Sequence, residues 1–553
     1  MKKGKLSIAK LWQRFDHNFL FFLAGFLFLF IPLWPKIPLY SPIEAYIVRV
    51  RLEDFIVAGV FFYWLIQLYR QKIVWKNYLL WPILAYIGVG LLSLLSAVFL
   101  IKTIPAEALH VSKSLLHWLR YTEYFTLFFI VFSSIKKDWQ VKVSLGLLLL
   151  ATVLIAIYGF GQKYYYWPVY STMNREFSKG VRLYLTEHAR VQSTFAGHYD
   201  LGAYLVIVLP ILLALALNIK NKTAKIILHL GHWAGLWLLV TSAARSSFLA
   251  YALAAEIIIL FLAFKKKQKL TRLYYFVSQS IFLVFLFIFT LVVFGDDMSE
   301  RLLQVVKSNP QTRIIYEVSV EVVKDLKVGE FDTLIKIFPL PIAQKPSNGI
   351  STDEAVQIIL QSDVRPVNAK PERPADVYED IPDLVIIATQ SATGEIKQIQ
   401  IEQPRTFSAN AQKYGLSLAI RLDSLWPWAI RGFLRNPVLG SGYATLNKEQ
   451  PWQFTELDGT DNNFLRVLGE TGLLGFLTFF GTILLAMELA WRAYRQDKNL
   501  LLQYLGIAFF AASIGLLINA IYIDVFASSK VAFTYWAVTG LLVATYYLET
   551  KPK

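Results

Sequence analysis

Asn-Pro-Val-Leu-Gly-Ser-Gly-Tyr, from Asn436 to Tyr443, and Asp-Asn-Asn-Phe-Leu-Arg-Val-Leu-Gly-Glu-Thr-Gly-Leu-Leu-Gly, from Asp461 to Gly475, lead directly into an apolar run that continues to Leu489. Crossing a hydrocarbon core of roughly 30 Å takes about 20 mostly apolar residues in a helix. Windows of that kind recur along the whole chain, so these polar, glycine-punctuated segments read as a site at a membrane face. With 553 residues, 56% of them hydrophobic and 17% charged, and a mean hydropathy of +0.46, the chain is far too apolar for a soluble enzyme of this length. The expectation is an all-α polytopic membrane protein.

The net charge of +16 does not form a continuous basic stripe with stacking aromatics, so nucleic acid is not expected as a partner. The basic residues sit in short clusters between apolar spans. Lys2, Lys3 and Lys5; Arg70, Lys72 and Lys76; Lys136, Lys137 and Lys142; Lys220, Lys222 and Lys225; Lys265 to Lys269; and Arg492, Arg495 and Lys498 fall in alternate loops, which the positive-inside rule places in the cytoplasm. About twelve spans with both termini cytoplasmic follow: Asn18–Trp34, Leu52–Tyr69, Tyr78–Ile101, Leu116–Ser134, Val143–Gln162, Asp200–Ile219, Ile226–Thr241, Ser247–Phe264, Leu273–Phe294, Gly472–Leu489, Leu501–Ile523 and Val531–Leu548. Phe19 to Trp34 is long enough to remain as a span, so no cleaved signal peptide is expected. The chain contains no cysteine, which removes disulfides, thiolate metal sites and a cysteine nucleophile.

Three outer segments are long: Pro35–Arg51, Tyr164–Tyr199, and Gly295 to about Glu470. Within the last, composition turns charged and proline-rich between Glu300 and Leu416, the mark of a separate soluble α+β insert. There Tyr316–Val323 alternates like a strand, and Ser351-Thr352-Asp353-Glu354 opens a short capped helix. Leu384–Thr389 and Ile396–Glu402 read as a hairpin, and Arg365–Pro374 as a linker. The expected organisation is an N-terminal bundle of about nine helices (1–299), the extracytoplasmic insert (300–416), an outer-face loop region (417–471) and about three C-terminal helices (472–553).

The Asn436–Tyr443 and Asp461–Gly475 segments resemble the O-antigen ligase and O-antigen polymerase family of polytopic membrane glycosyltransferases. Arg421, Arg431 and Arg435 with Trp426, Trp428 and Asn436-Pro437 extend the resemblance. So do Ala189-Arg-Val-Gln-Ser-Thr-Phe-Ala-Gly-His-Tyr-Asp-Leu-Gly-Ala-Tyr204 and Thr241-Ser-Ala-Ala-Arg-Ser-Ser-Phe248. The 300–416 insert lies outside it. The resemblance implies transfer of a glycan from a polyprenyl-diphosphate carrier to an acceptor hydroxyl of a glycan, lipid or protein, at the outer face of the cytoplasmic membrane and without metal or other cofactor. Polymerase activity within the same family, or a lipid-linked glycan flippase, are the alternatives.

That chemistry leaves extra negative charge on two phosphates, so it calls for fixed cations and a base. Arginine suits the first task, because its planar fork binds phosphate bidentately and stays charged. Arg245 stands on so short an outer connection that it must lie at the interface; snorkelling to headgroups and facing a wet cavity are both open, and the family motif favours function. Arg190 is carried over as a second diphosphate ligand, with His198 as pocket lining. Asp461 stands where family ligases usually show a histidine, so the resemblance makes it the base. Either Asp461 or Asn462 also suits the N-cap of the helix that follows. Glu470 reads as structural, a carboxylate holding an arginine. Arg421 and Arg435 join the substrate-binding set, and Gly440 and Gly442 permit a turn that presents N–H groups to an anion.

Overall fold

The computed structural model describes residues 8–40, 49–172, 177–185, 189–295, 298–299, 383–390, 396–403, 408–410, 416–446, 459–496 and 499–550. The chain forms two compact units, Met1–Ala343 with Ala429–Lys553, and Gln344–Trp428.

In the first unit the helices are α1 (Ile8–Leu33), α2 (Leu52–Tyr69), α3 (Leu80–Leu95, prolonged by a π turn over Ser96–Leu100), α4 (Ala108–Ser134) and α5 (Asp138–Tyr165). There follow α6 (His198–Asn218), α7 (Lys222–Thr241), α8 (Arg245–Phe264) and α9 (Lys269–Phe294). A short antiparallel pair, β1 (Pro38–Tyr40) with β2 (Val50–Arg51), closes the loop between α1 and α2. Every expected span falls on a helix. Among the described residues, ten helices are long and apolar enough to cross a membrane, and Asn18–Leu33 of α1 forms a shorter apolar segment. The difference from twelve has a physical source in α4, whose first half carries Lys113, Arg120 and Glu123 and is built for polar company.

The second unit contains β3 (Asp383–Gln390) and β4 (Ile396–Gln403), antiparallel from Asp383 opposite Gln403 to Gln390 opposite Ile396. The expected hairpin is therefore present, one or two residues longer than the sequence suggests. It also holds α10 (Leu416–Ile420) and the π turn Arg421–Leu425. The Asp423 carboxylate accepts hydrogen bonds from Ser408 Oγ at 2.6 Å and Asn410 Nδ2 at 2.5 Å, which lower its pKa. The strand expected at Tyr316–Val323, the helix at Ser351 and the Arg365–Pro374 linker lie outside the described residues.

The remaining helices are α11 (Trp426–Arg435), α12 (Asn463–Tyr494), α13 (Leu500–Asn519) and α14 (Ser529–Thr550). Asparagines start three helices in the same way: Asn221 accepts from Ala224 N on α7, Asn462 from Leu465 N on α12, and Asn499 from Leu501 N and Leu502 N on α13. Each thereby satisfies one or two of the amides that a helix start leaves without partners. At the centre α6 is buried almost throughout, with α13 and α8 packed on it, and α14 lies along α4. Aromatic rings fill the seams, as where Phe125 meets Trp536 at 4.4 Å between centroids.

The two segments that lead the sequence are fastened to one another. α12 breaks at Gly472, whose φ of 65° and ψ of −167° belong to a region open essentially only to glycine. The break frees backbone groups that the Asn436–Tyr443 loop takes up. Leu473 N donates to Pro437 O at 2.8 Å and Leu474 N to Val438 O at 3.2 Å. In return Ser441 N donates to Gly469 O at 2.8 Å and Gly442 N to Glu470 O at 3.0 Å. The loop works as an external partner for a broken helix, because backbone polar groups at membrane depth have no water to satisfy them.

Candidate functional site

A cavity of about 980 Å³ opens in the first unit. Its walls come from the first outer loop, the start of α2, the first half of α4, the segment that enters α6, the turn before α12, and the turn between α13 and α14. All of these lie at helix ends opposite the lysine-rich loops. The lining carries Lys36, Arg49, Arg51, Lys113, Arg120 and Arg466 together with Asp54, Glu123, Asp200, Asp461 and Asp524. Such a density of charge next to apolar helices is costly unless it is paired or has a ligand, which marks the cavity as functional ground.

One wall centres on Asp524. Its Oδ1 accepts from Thr460 Oγ1 at 2.8 Å and Asn462 N at 3.1 Å, and its Oδ2 accepts from Thr460 N at 2.9 Å and Arg466 Nη1 at 3.0 Å. The turn Thr460–Asn462 is thus tied down on both sides of Asp461, which sits at φ 50° and lines the cavity. Positive φ is tolerated by aspartate better than by most residues. Capping of α12 falls to Asn462, which leaves the cap role read for this pair away from Asp461. Arg466 also faces Glu470 one turn on, Nε to Oε2 at 3.5 Å, and the Glu470 carboxylate accepts from Ala444 N at 3.2 Å. Glu470 is buried and holds an arginine, joining α12 to the Asn436–Tyr443 loop.

A second group of lining residues comes from the loop between α1 and α2. Lys36 is buried and pairs with Glu53, and both hydrogen-bond Ser529 at the start of α14. Burial pulls the Lys36 pKa down, against the raising effect of Glu53. Arg49 Nε reaches Ser178 Oγ at 3.4 Å. Arg51 lies 3.8 Å from Glu53, while its Nε is buried with no hydrogen-bond partner among the described residues. Arg120 on α4 grips Asp54 with both guanidinium nitrogens, at 2.7 and 3.3 Å. Such forked pairs hold their geometry well.

The other sequence candidates stand apart from this lining. Arg190 hydrogen-bonds His198 and reaches Tyr199 OH at 3.4 Å, and Tyr199 itself lines the cavity. His198 is buried as the first residue of α6, its ring 3.9 Å from that of Tyr199. Arg245 is half-buried where α8 begins, outside the lining. Arg435 is exposed at the end of α11, and Arg421 belongs to the second unit. Gly440 and Gly442 turn toward neighbouring chain: a Cβ on Gly440 would meet Thr471 N at 2.5 Å, and one on Gly442 would meet Ala97 Cβ at 2.4 Å.

Sequence reasoning did not single out Lys36, Arg49, Arg51, Arg120, Arg466 or Asp524. Their one sequence signal is that each is an ionisable residue next to or within an apolar span, a trait many others share. Among the described residues no three His, Asp or Glu side chains converge in the manner of metal ligands.

Residues 383–480 match the model of the family described as O-Antigen ligase. The match runs from the first residue of β3 to Phe480 on α12, so it includes the interlocked loop, Asp461, Arg466 and Glu470. It also takes in the end of the insert that the sequence resemblance left out. No curated protein matches the chain.

Proposed function

We propose that this multi-pass membrane protein, which carries an O-antigen ligase domain over residues 383–480, transfers a glycan from a polyprenyl-diphosphate carrier to an acceptor hydroxyl in the cavity described above. The observation that supports the reading is that Asp461, in the turn that leads into α12, lines the same cavity as Arg49 and Arg51. In such a transfer the acceptor oxygen attacks the anomeric carbon, its proton passes to the base, and the C–O bond to the diphosphate breaks. Asp461 takes the proton. The guanidiniums stabilise the charge that develops on the leaving diphosphate, a task for which pre-set cations need no reorganisation. Holding donor and acceptor together supplies the rest of the rate.

Arg190 enters this reading through Tyr199, as a support for the wall that Tyr199 forms. Metal-independent chemistry follows from assigning the leaving charge to arginines. The cavity faces the extracytoplasmic side of the cytoplasmic membrane, because its walls lie opposite the loops that the positive-inside rule keeps in the cytoplasm. A lipid-linked glycan transporter is the weaker reading, since ionisable groups here gather at one end of the helices and transporter sites lie near the midplane.

Deleting the gene and examining the lipid-linked intermediates tests the activity and separates its two forms. Polymer stranded on the carrier identifies a ligase, single repeat units stranded there identify a polymerase, and an unchanged carrier pool removes the reading.

A further inference from the structure

α11 packs through its small residues. Ala429 and Gly432 are buried, and a Cβ on Gly432 would lie 3.0 Å from Ser441 Oγ and 3.5 Å from Gly469 O, so this side of the helix rests on the Asn436–Tyr443 loop and on α12. At about 3.6 residues per turn, Ile430 and Leu434 fall on the opposite side and Arg431 and Arg435 on one flank, each pair one turn apart. Ile430, Leu434 and, four residues on, Val438 are 45%, 65% and 56% exposed, and both arginines are exposed. Among the described residues neither guanidinium makes an ion pair or a hydrogen bond. Val438 O accepts from Leu474 N at 3.2 Å, which sets Val438 beside Leu473 and Leu474, the first of the exposed apolar residues that continue along α12 through Leu477 and Leu484. Exposed apolar residues on a helix long enough to span are its bilayer face. The apolar stripe of α11 therefore begins where the bilayer face of α12 ends.

We infer that the exposed side of α11 is seated in the headgroup layer of the adjoining leaflet and binds anionic phospholipid, with Arg431 and Arg435 on neighbouring phosphates and Ile430, Leu434 and Val438 against the upper acyl chains. A helix with an apolar stripe beside basic residues lies in the interface in this way, its apolar side sunk into the boundary between headgroups and acyl chains. Charge complementarity selects the lipid. The phosphate of a zwitterionic lipid is already neutralised by its own amine, whereas phosphatidylglycerol brings a net negative charge that two unpaired guanidiniums attract. A soluble anion would leave the apolar stripe wet. The inference stands apart from the glycosyltransferase reading, since neither arginine lines the cavity, and it moves Arg435 from the substrate to the surrounding membrane.

The chain contains no cysteine, so a single thiol can be placed on this side of α11. Leu434→Cys carries a fluorescent label on the full chain, one chain per nanodisc, in equal parts phosphatidylcholine and phosphatidylglycerol. Quenching is compared between discs in which one or the other lipid bears a nitroxide next to its headgroup. Nitroxide phosphatidylglycerol is expected to quench at least about twofold more than nitroxide phosphatidylcholine. Adding Arg431→Gln with Arg435→Gln makes the two equal, and raised salt narrows the difference. A label at Leu484→Cys, on the bilayer face of α12, is quenched alike by both. Melting temperatures confirm that each variant folds, and Ile430→Cys replaces Leu434→Cys should that variant fail to fold. The inference is overturned if neither lipid quenches the label, which would mean a wet or protein-covered face, or if both quench it equally with the arginines in place. It is overturned as well if the preference survives the glutamine pair, or if Leu484→Cys shows the same preference.

Discussion

Gly440 and Gly472 meet backbone to backbone: a Cβ on Gly472 would lie 2.5 Å from Gly440 N, and one on Gly440 would lie 2.5 Å from Glu470 C and Thr471 N. None of these three atoms belongs to a side chain that can swing away. Gly472→Ala therefore meets both a clash and a backbone conformation worth about 1–3 kcal/mol of strain outside glycine. The expected result is a drop in melting temperature of the detergent-solubilised protein, larger for Gly472→Ala than for Gly481→Ala, where a Cβ meets nothing within 4 Å. Equal losses at the two positions would show that the interlock contributes nothing.

Asp461→Ala is expected to lower transfer by about 10²–10⁴-fold, the usual contribution of a positioned base. Asp461→His places there the residue usual in the ligases that this segment resembles. Transfer by this variant should recover in part and then fall as the imidazole protonates, near an ordinary pKa of about 6.5. A pH–rate profile of wild type beside the histidine variant decides the matter. Superimposable profiles would mean that residue 461 does not handle the proton.

On the proposed mechanism Asp524 acts one step away from the chemistry, through the four hydrogen bonds that hold Thr460, Asn462 and Arg466. Asp524→Asn keeps the shape but loses the charge opposite Arg466 and must turn an NH₂ group toward one of these donors. Transfer should fall about tenfold or more, because slight misplacement of a reacting group is costly. Donor binding by Arg49 and Arg51 should stay within about twofold, since neither is a partner in the bonds that change. A matching loss of donor affinity would make Asp524 a general structural residue.

Most of the architecture was legible because the bilayer imposes one strong rule, a run of apolar residues per crossing, and helices stand wherever that rule put them. The hairpin at Asp383–Gln403 followed equally from alternation. The site was harder to read. Asp461 was visible because its neighbours form a recognisable segment, whereas Arg51 ends a two-residue strand and Asp524 stands in a short turn, and only folding carries them to one cavity with a residue more than 400 positions from the first loop. Glu470 shows the converse: its arginine, Arg466, lies four residues back, within reach of helical spacing alone. For Arg245 and Arg421, spacing gives no indication of which way the side chain faces.

The Lys36–Glu53 pair offers a test of how charge is kept in this fold. Lys36 is 3% exposed and Glu53 fully buried, so removing one partner strands the other. Breaking a buried pair costs about 3–5 kcal/mol, while replacing both members with apolar residues is often neutral. Glu53→Gln should therefore lower the melting temperature markedly, and Glu53→Leu with Lys36→Met should recover much of the loss. The sign of the pH dependence follows from Lys36. Its folded pKa is already pulled below the ordinary 10.5 by burial, and Glu53 is the main group that opposes this. Without Glu53 the charged lysine has lost that support, so the folded form prefers to shed a proton that the unfolded chain keeps up to about 10.4. Stability then rises with pH wherever the unfolded state binds more protons. The deficit of Glu53→Gln relative to wild type should accordingly shrink as pH is raised toward 10, and melting curves from pH 7 to 10 measure it. A deficit that stays constant across that range would show that Lys36 carries the same charge with or without its partner.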